Sequence, residues 1–407
     1  YLVAATGPTG WVTGINDGGC EPAVGLYGRG IADILEERAA FRKSLGLSEQ
    51  PLPQAQCFPQ AGQVFLRDGW TNEATWLSFD ATLRRSYHWH AARNAIQLRA
   101  FGRMLLIDPG AFSYNDPVWA PYAWQTRIHN TLNLNGWDQA ETDAVLSHKS
   151  APGYELVTGL YQGGYFADSQ LWQSRGAALT AEHHRTLLWI KGRCIVVIDH
   201  LWCPSQAGSK PLLEANWQFA AGAVLTVEPE RALVHTQFDD ANLLLMFALK
   251  PAAAVLSVHE GERDPLRGWL SRGLNTKFIP APQLTLGIDQ CEPWSTDLVT
   301  VLVPYRGKAR PEIEVARCVA PEKTAATYDP GYGLVSLRWG DGTRDDIFWT
   351  RALGAALDVR EGLTTDASLV HIERDGAGKV VRGLAVDGTY VEPFAPRRRA
   401  APDTFAW

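Results

Sequence analysis

Residues 86–115 read SYHWHAARNAIQLRAFGRMLLIDPGAFSYN. Two short apolar runs, NAIQLRA and MLLID, flank the turn signal Phe101-Gly102-Arg103, so the stretch reads as a β-hairpin. His88 and His90 stand ahead of its first arm, and Asp108 closes the second just before Pro109-Gly110. Residues two apart in a strand share a face, which places both imidazoles at one site. That suits a metal pair, or one ligand beside one acid or base. Pairing around the turn sets Asp108 roughly opposite Ala95. His90 then lies five residues further on, about 16 Å away at about 3.3 Å per residue, and on the wrong face. A site shared by His90 and Asp108 therefore demands a bend within Ala91-Ala92-Arg93-Asn94, through a loop or bulge.

The hairpin has many companions. QVFLRDGW, NTLNLNGW, RTLLWIKG, CIVVIDHLW, NLLLMFAL, LVTVLVPY, GLVSLRWG and DDIFWTRA are short runs rich in β-branched and aromatic residues. Turn signals such as Gly340-Asp341-Gly342, Asp375-Gly376 and Asp387-Gly388 separate them. Strands in this number without long helices between them predict a mainly β protein, a large antiparallel β-sandwich of two packed sheets over residues 58–390. Ahead of it, Ile31, Ile34, Leu35, Phe41 and Leu45 recur at helical spacing, with Gly46 near the stop. The proline-rich SEQPLPQAQCFPQ marks a boundary near residues 48–60. The expected division is a short helical segment over 1–57, the sandwich over 58–390 and a tail over 391–407.

Bulk properties exclude several classes. With 46% hydrophobic and 20% charged residues the chain has a globular composition, and a net charge of −6 gives no reason to expect a nucleic-acid partner. Arg397-Arg398-Arg399 reads as a solvated tail. Sixteen tryptophans serve a core, or stack flat on sugar rings where they are exposed. The cysteines, Cys20, Cys57, Cys194, Cys203, Cys291 and Cys318, are scattered without a CxxC pair, which argues against a thiolate zinc cluster. Cys194 and Cys203 could bridge neighbouring strands, which sequence alone does not decide. No apolar run has the length of a membrane span, and no membrane partner is expected. The start at Tyr1, without methionine or signal pattern, suggests a processed or trimmed chain, and the expected location is periplasmic or secreted. P-loop, GxGxxG and GxSxG motifs are absent.

A third ligand candidate is His129, in TRIHNTLNLNGWDQ, at the start of an alternating run. Two imidazoles and one carboxylate are a common zinc set, with a fourth position open or taken by water. Together, HWHAARNAIQLRAFGRMLLIDPGAFSYN and RIHNTLNLNGWDQ resemble the heparinase II/III-like domain of polysaccharide lyases. The matching residues are His88, His90, Asp108, Pro109, Gly110, His129, Asn130, Thr131, Asp138 and Gln139. The resemblance implies an N-terminal (α/α) toroid followed by an antiparallel β-sandwich, with the active site in the cleft between them. It implies a structural zinc on His90, Asp108 and His129, with His88 facing the substrate. Trp89 and Ala92 depart from the family pattern, which has a small residue and an aspartate there; Ala92 removes a carboxylate that orients a ligand in relatives. Only one clear helix precedes residue 58, so residues 1–57 are expected to be the remnant of a toroid largely missing from this chain. In relatives the toroid supplies a catalytic tyrosine and an asparagine or histidine.

The reaction so implied is β-elimination at a uronic acid, in which the C6 carboxylate is neutralised, the C5 proton removed and the leaving O4 protonated. His88 is the expected carboxylate neutraliser or auxiliary base. Tyr122 is the candidate acid/base because it lies between Asp108 and His129; Tyr87 and Tyr114 are weaker ones. Arg93 and Arg127 are candidate anion contacts, and Trp89, Trp119 and Trp124 candidate sugar-stacking residues. Adjacent His183 and His184 point to opposite faces of a strand and read as structural, as does Asp199-His200. The expected partner is an acidic polysaccharide or oligosaccharide, alongside the missing toroid region or a second copy of the chain. The alternatives are a non-catalytic carbohydrate-binding or scaffold sandwich retaining the metal site, and a metal-dependent hydrolase.

Overall fold

The computed structural model describes residues 11–12, 21–22, 40, 43–45, 53–81, 90–110, 116–140, 142, 144–167, 179–203, 211–271, 277–289, 295–319, 332–350, 357–359, 363–394 and 399–407. Most of the expected N-terminal helix, and residues 82–89 with Tyr87, His88 and Trp89, lie outside them, as does Tyr114.

Strands β1 (Ala55–Phe58), β2 (Gln63–Arg67), β3 (Trp76–Asp80), β4 (Ala95–Ala100) and β5 (Arg103–Leu106) form an antiparallel meander in chain order. Helix α1 (Trp119–Trp124) and strand β6 (Leu132–Leu134) follow. Next come β7 (Ala144–Ala151), β8 (Tyr154–Tyr161), β9 (Glu182–Ile190), β10 (Cys194–Trp202) and β11 (Leu213–Gln218). They are succeeded by β12 (Leu225–Glu228), β13 (Leu233–Thr236), β14 (Ala241–Leu249), β15 (Val255–His259), β16 (Gln283–Ile288) and β17 (Ser295–Arg306). An eight-stranded sheet has the order β7-β8-β9-β10-β17-β14-β13-β12, and a four-stranded one β15-β16-β11-β6. The four-stranded sheet adjoins the meander through a bridge between Leu106 and Phe219. A six-stranded sheet is built from strands within residues 313–406.

The antiparallel β-sandwich expected from the sequence is present, with one layer more than the two sheets foreseen. The front core joins the meander and the four-stranded sheet to one face of the eight-stranded sheet, through Leu77, Phe79, Leu98, Trp217, Ile195 and Val197. The other face, with Cys194, Val196 and Ile198, packs on Val335, Leu337, Ile347 and Trp349 of the six-stranded sheet. Successive residues of a strand point to opposite faces. A strand covered on both sides is therefore apolar at every position, which is why CIVVIDHLW and NLLLMFAL show no polar alternation. Cys194 and Cys203 are both free thiols, so the bridge suggested for them does not form.

Candidate metal centre and its supporting network

The bend demanded between His90 and Ala95 is present. Asn94 adopts a left-handed φ of 62°, and the Ala95 N–H donates to Ala92 O at 3.0 Å, closing a tight turn. The Ala91 N–H donates to Trp124 O at 3.0 Å, which ties the approach to α1. The hairpin register differs by one from the simple count. Leu98 pairs with Leu106 but Arg99 with Met104, so a bulge at Leu105 displaces Asp108 from its expected place opposite Ala95.

Beyond Leu106 the chain leaves β4 for the end of β11, with the Ile107 N–H donating to Gln218 O. One side chain fills the gap that opens. Asn130 Nδ2 donates to Ile96 O at 2.7 Å and to Ile107 O at 2.8 Å, while its Oδ1 accepts from Gln218 N at 2.5 Å. Asn130 thus replaces the lost rungs of the ladder. It also fixes its neighbour His129 beside Asp108.

His90 Nδ1 and His129 Nε2 lie 3.2 Å apart, and His129 Nε2 lies 3.5 Å from Asp108 Oδ2. One ligand atom from each residue falls within 4.8 Å of the others. Both imidazoles are buried. His129 Nδ1 is 2.8 Å from Gln125 O, which can only accept, so Nδ1 carries the proton and the Nε2 lone pair faces the cluster. Burial, then the neighbouring His90, lowers the His129 pKa to about 3, so Nε2 stays unprotonated. Asp108 Oδ1 accepts from Gly110 N at 2.9 Å, leaving Oδ2 turned toward His129. A lone pair and a carboxylate oxygen facing each other in this place suit a cation between them. Nitrogens bound tetrahedrally at about 2.0–2.1 Å from zinc stand about 3.3 Å apart, close to the separation found here. The donor set fits such an ion.

Gly110 explains the Pro-Gly after Asp108. Its φ is 73°, and a Cβ there would stand 2.9 Å from Ser271 O, so only glycine lets the loop close on Asp108.

Other motif residues brace the loops that carry the ligands. Gln139 Oε1 accepts from Arg93 N at 2.6 Å, and its Nε2 donates to Arg93 O at 3.1 Å. Thr131 Oγ1 donates to the same carbonyl at 2.8 Å. Asp138 Oδ1 accepts from Thr126 N at 2.7 Å; burial raises its pKa to about 7, against the Thr126 hydrogen bond and the Arg127 charge.

The sequence reading missed the deepest brace. Arg185 donates through Nε and Nη2 to Asp199, at 2.6 and 2.9 Å, and through Nη1 to Asn94 O at 2.8 Å and Asn130 O at 2.6 Å. One buried guanidinium therefore joins the turn behind His90 to the residue after His129. Against burial, which raises it, Arg185 and His183 hold the Asp199 pKa down to about 2. Arg185 and Asp199 are direct cross-strand partners. Counting pairs outward from the Lys191-Gly192-Arg193 turn would have revealed them.

The remaining predicted residues scatter. Tyr122 is buried; its hydroxyl donates to Trp269 O at 3.1 Å and accepts from Trp269 N at 3.0 Å. Burial raises its pKa well above the usual tyrosine range. This is a structural pin rather than an available acid/base. Trp124 is buried in the same aromatic cluster, so the stacking expected of it meets protein. Trp119 lies flat on Phe278, with centroids 4.6 Å apart. Arg93 is buried, its Nη1 donating to His90 O at 3.3 Å. Arg127 is half-buried, its Nε donating to Gln125 Oε1 at 3.1 Å; with Trp119 it retains some access to solvent, unlike Arg93 and Trp124. A small cleft of mixed lining, including Asp80, Ile96, Gln97, Ile107, Asp108 and His129, adjoins the cluster.

Fold and site together define an antiparallel β-sandwich with a buried two-histidine, one-aspartate cluster where two of its sheets meet. The model of the heparinase II/III-like C-terminal family matches residues 50–315, and the chain belongs to that family. The match ends where the six-stranded sheet begins. Among solved structures, the chain resembles heparan sulfate lyase HepC from Pedobacter heparinus, with TM-score 0.64 and 18% identity over 83% of this chain and 50% of that one. It also resembles a heparinase III, with TM-score 0.68 and 16% identity over 86% of this chain and 53% of that one. At these identities the likeness is one of fold, and the chain spans about half the length of these neighbours. No curated protein matches it in sequence.

Proposed function

We propose that this chain is the β-sandwich portion of a polysaccharide lyase that cleaves a uronic-acid-containing polysaccharide by β-elimination. The observation that carries the reading is the His90–Asp108–His129 cluster, assembled by family motifs in a chain whose family and fold neighbours are those of heparin-type lyases. On this reading the three residues hold a structural zinc ion, which when bound supplies positive charge that locks the loops bearing its ligands. His129 contributes Nε2, set by the Nδ1–H bond to Gln125 O, and Asp108 contributes Oδ2. His88, two residues before His90, neutralises the substrate carboxylate or assists proton removal. Arg127 is a contact for substrate anions. The tyrosine acid/base comes from the toroid, because the Tyr122 hydroxyl is engaged on both sides by Trp269.

The test is incubation of the full-length protein with a set of uronate polymers, followed at the absorbance of unsaturated uronate. Elimination products carry no added water, and their mass separates a lyase from a hydrolase. His88→Ala should lower the rate by about 100-fold. A second reading is a non-catalytic carbohydrate-binding sandwich that keeps the three-residue cluster. Polymer binding without unsaturated product would favour it.

A further inference from the structure

We propose that Ser257, His259 and Glu262 form a second catalytic site, a serine-esterase centre for small acyl esters on the outer edge of the four-stranded sheet. It stands independently of the lyase reading.

Strand β15 is the edge of its sheet, hydrogen-bonded on one side to β16. Ala254 and Leu256 pack toward the front core, so Ser257 and His259 project together from the opposite face. The chain then turns and brings Glu262 back under the imidazole. Gly268 permits this close return, since a Cβ there would lie 2.3 Å from His259 O.

His259 Nδ1 lies 3.0 and 2.9 Å from the two carboxylate oxygens of Glu262. Its Nε2 lies 2.9 Å from Ser257 Oγ and 3.3 Å from Arg267 Nη1. A carboxylate only accepts and a guanidinium only donates, so the proton sits on Nδ1 and the Nε2 lone pair faces Ser257. This is the tautomer that a general base needs, with the acid orienting it from behind. Ser150, His148 and Glu155 show the contrast. There hydroxyl and carboxylate both meet the same nitrogen, Nε2, at 3.4 and 2.9 Å, and no relay exists.

Arg267 completes the site. Glu214 holds its Nη2, and its Nη1 also lies 3.4 Å from Thr285 Oγ1, the hydroxyl of the residue paired with Ser257. When Nε2 takes the serine proton it stops accepting from Arg267. That N–H is then released to an oxyanion forming beside Ser257. Glu262 and Glu214 balance the two cations. Thr285 and Arg267 fill the floor, which limits the acyl group to a small one. Ser257 and His259 are partly exposed, and the Glu262 side chain is 41% exposed, leaving the alcohol side open to a bulky group.

The step uses only water as co-reactant. Ser257 Oγ bonds to the carbonyl carbon as its proton passes to His259 Nε2. The ester C–O bond breaks, and that proton leaves with the alcohol. Water then attacks the acyl-serine, giving its proton to Nε2, and the carboxylic acid departs as Ser257 regains a proton.

The experiment treats the full-length protein with a fluorophosphonate and with p-nitrophenyl acetate, and maps the label by peptide mass spectrometry. Expected are a single label on Ser257, loss of label and hydrolysis in Ser257→Ala, and labelling at least about 100-fold slower in His259→Gln. p-Nitrophenyl octanoate should be turned over more slowly than the acetate. A wild-type peptide map without label on Ser257 would overturn the proposal, and it needs no variant to fold. Unchanged labelling in a folded His259→Gln, or unchanged hydrolysis in Ser257→Ala, would overturn it equally.

Discussion

Replacing Arg185 by methionine removes one charge and four hydrogen bonds from the base of the metal cluster. Asp199 would keep His183 but lose its cation, and breaking a buried pair in this way costs about 3–5 kcal/mol. The carbonyls of Asn94 and Asn130 would also lose a donor, at about 1–3 kcal/mol each. The total reaches the scale of a domain's whole stability, about 5–15 kcal/mol. Urea unfolding followed by tryptophan fluorescence should therefore show a large fall in midpoint. Arg185→Met with Asp199→Leu should recover part of that loss, because no lone carboxylate is left buried, although His183 then loses its partner at about 1–3 kcal/mol. The pH dependence has a definite sign. The Asp199 pKa is about 2 in the fold and about 3.9 when unfolded, so its contribution is full above about pH 4 and is lost as pH falls toward 2. Wild-type stability should fall in that window, and the double variant should lack this component. A single variant within about 1 kcal/mol of wild type, or a double variant worse than the single, would refute the account of the brace.

Asp138 has a folded pKa raised to about 7, so its carboxyl destabilises the fold progressively as pH rises from about 4 through 7. Asp138→Asn keeps an acceptor for Thr126 N; its advantage over wild type in urea midpoint should be absent near pH 4 and grow to pH 8. A difference independent of pH would count against a buried neutral carboxyl. Gly110→Ala meets both a positive φ and the Ser271 carbonyl, and should cost more than about 1 kcal/mol in thermal unfolding while also weakening metal retention. In an excess of zinc the wild-type melting temperature should rise, and His129→Ala should lose that response.

Local chemistry made much of the site legible. Face alternation and rise per residue were enough to require the bend in Ala91-Ala92-Arg93-Asn94 before the ligands could meet. The bulge at Leu105 was hidden, because one extra residue within an apolar run leaves no mark in composition. The third layer was written in the unbroken runs of β10 and β14, but an apolar run does not say what covers each face. Tyr122 shows the limit of position along the chain: lying between two ligands in sequence, its hydroxyl is nonetheless consumed by the Trp269 backbone. Arg185 and Asp199 could have been found by counting pairs from the Lys191-Gly192-Arg193 turn, whereas Glu262 reaches His259 only through a loop return that spacing does not display.

The most direct test is the metal content of the purified protein, measured by elemental mass spectrometry beside the His129→Ala and Asp108→Asn variants. Wild type should carry about one zinc per chain, and both variants close to none. A metal-free wild type, or zinc retained equally in the variants, would contradict the assignment of His90, Asp108 and His129 as a metal centre.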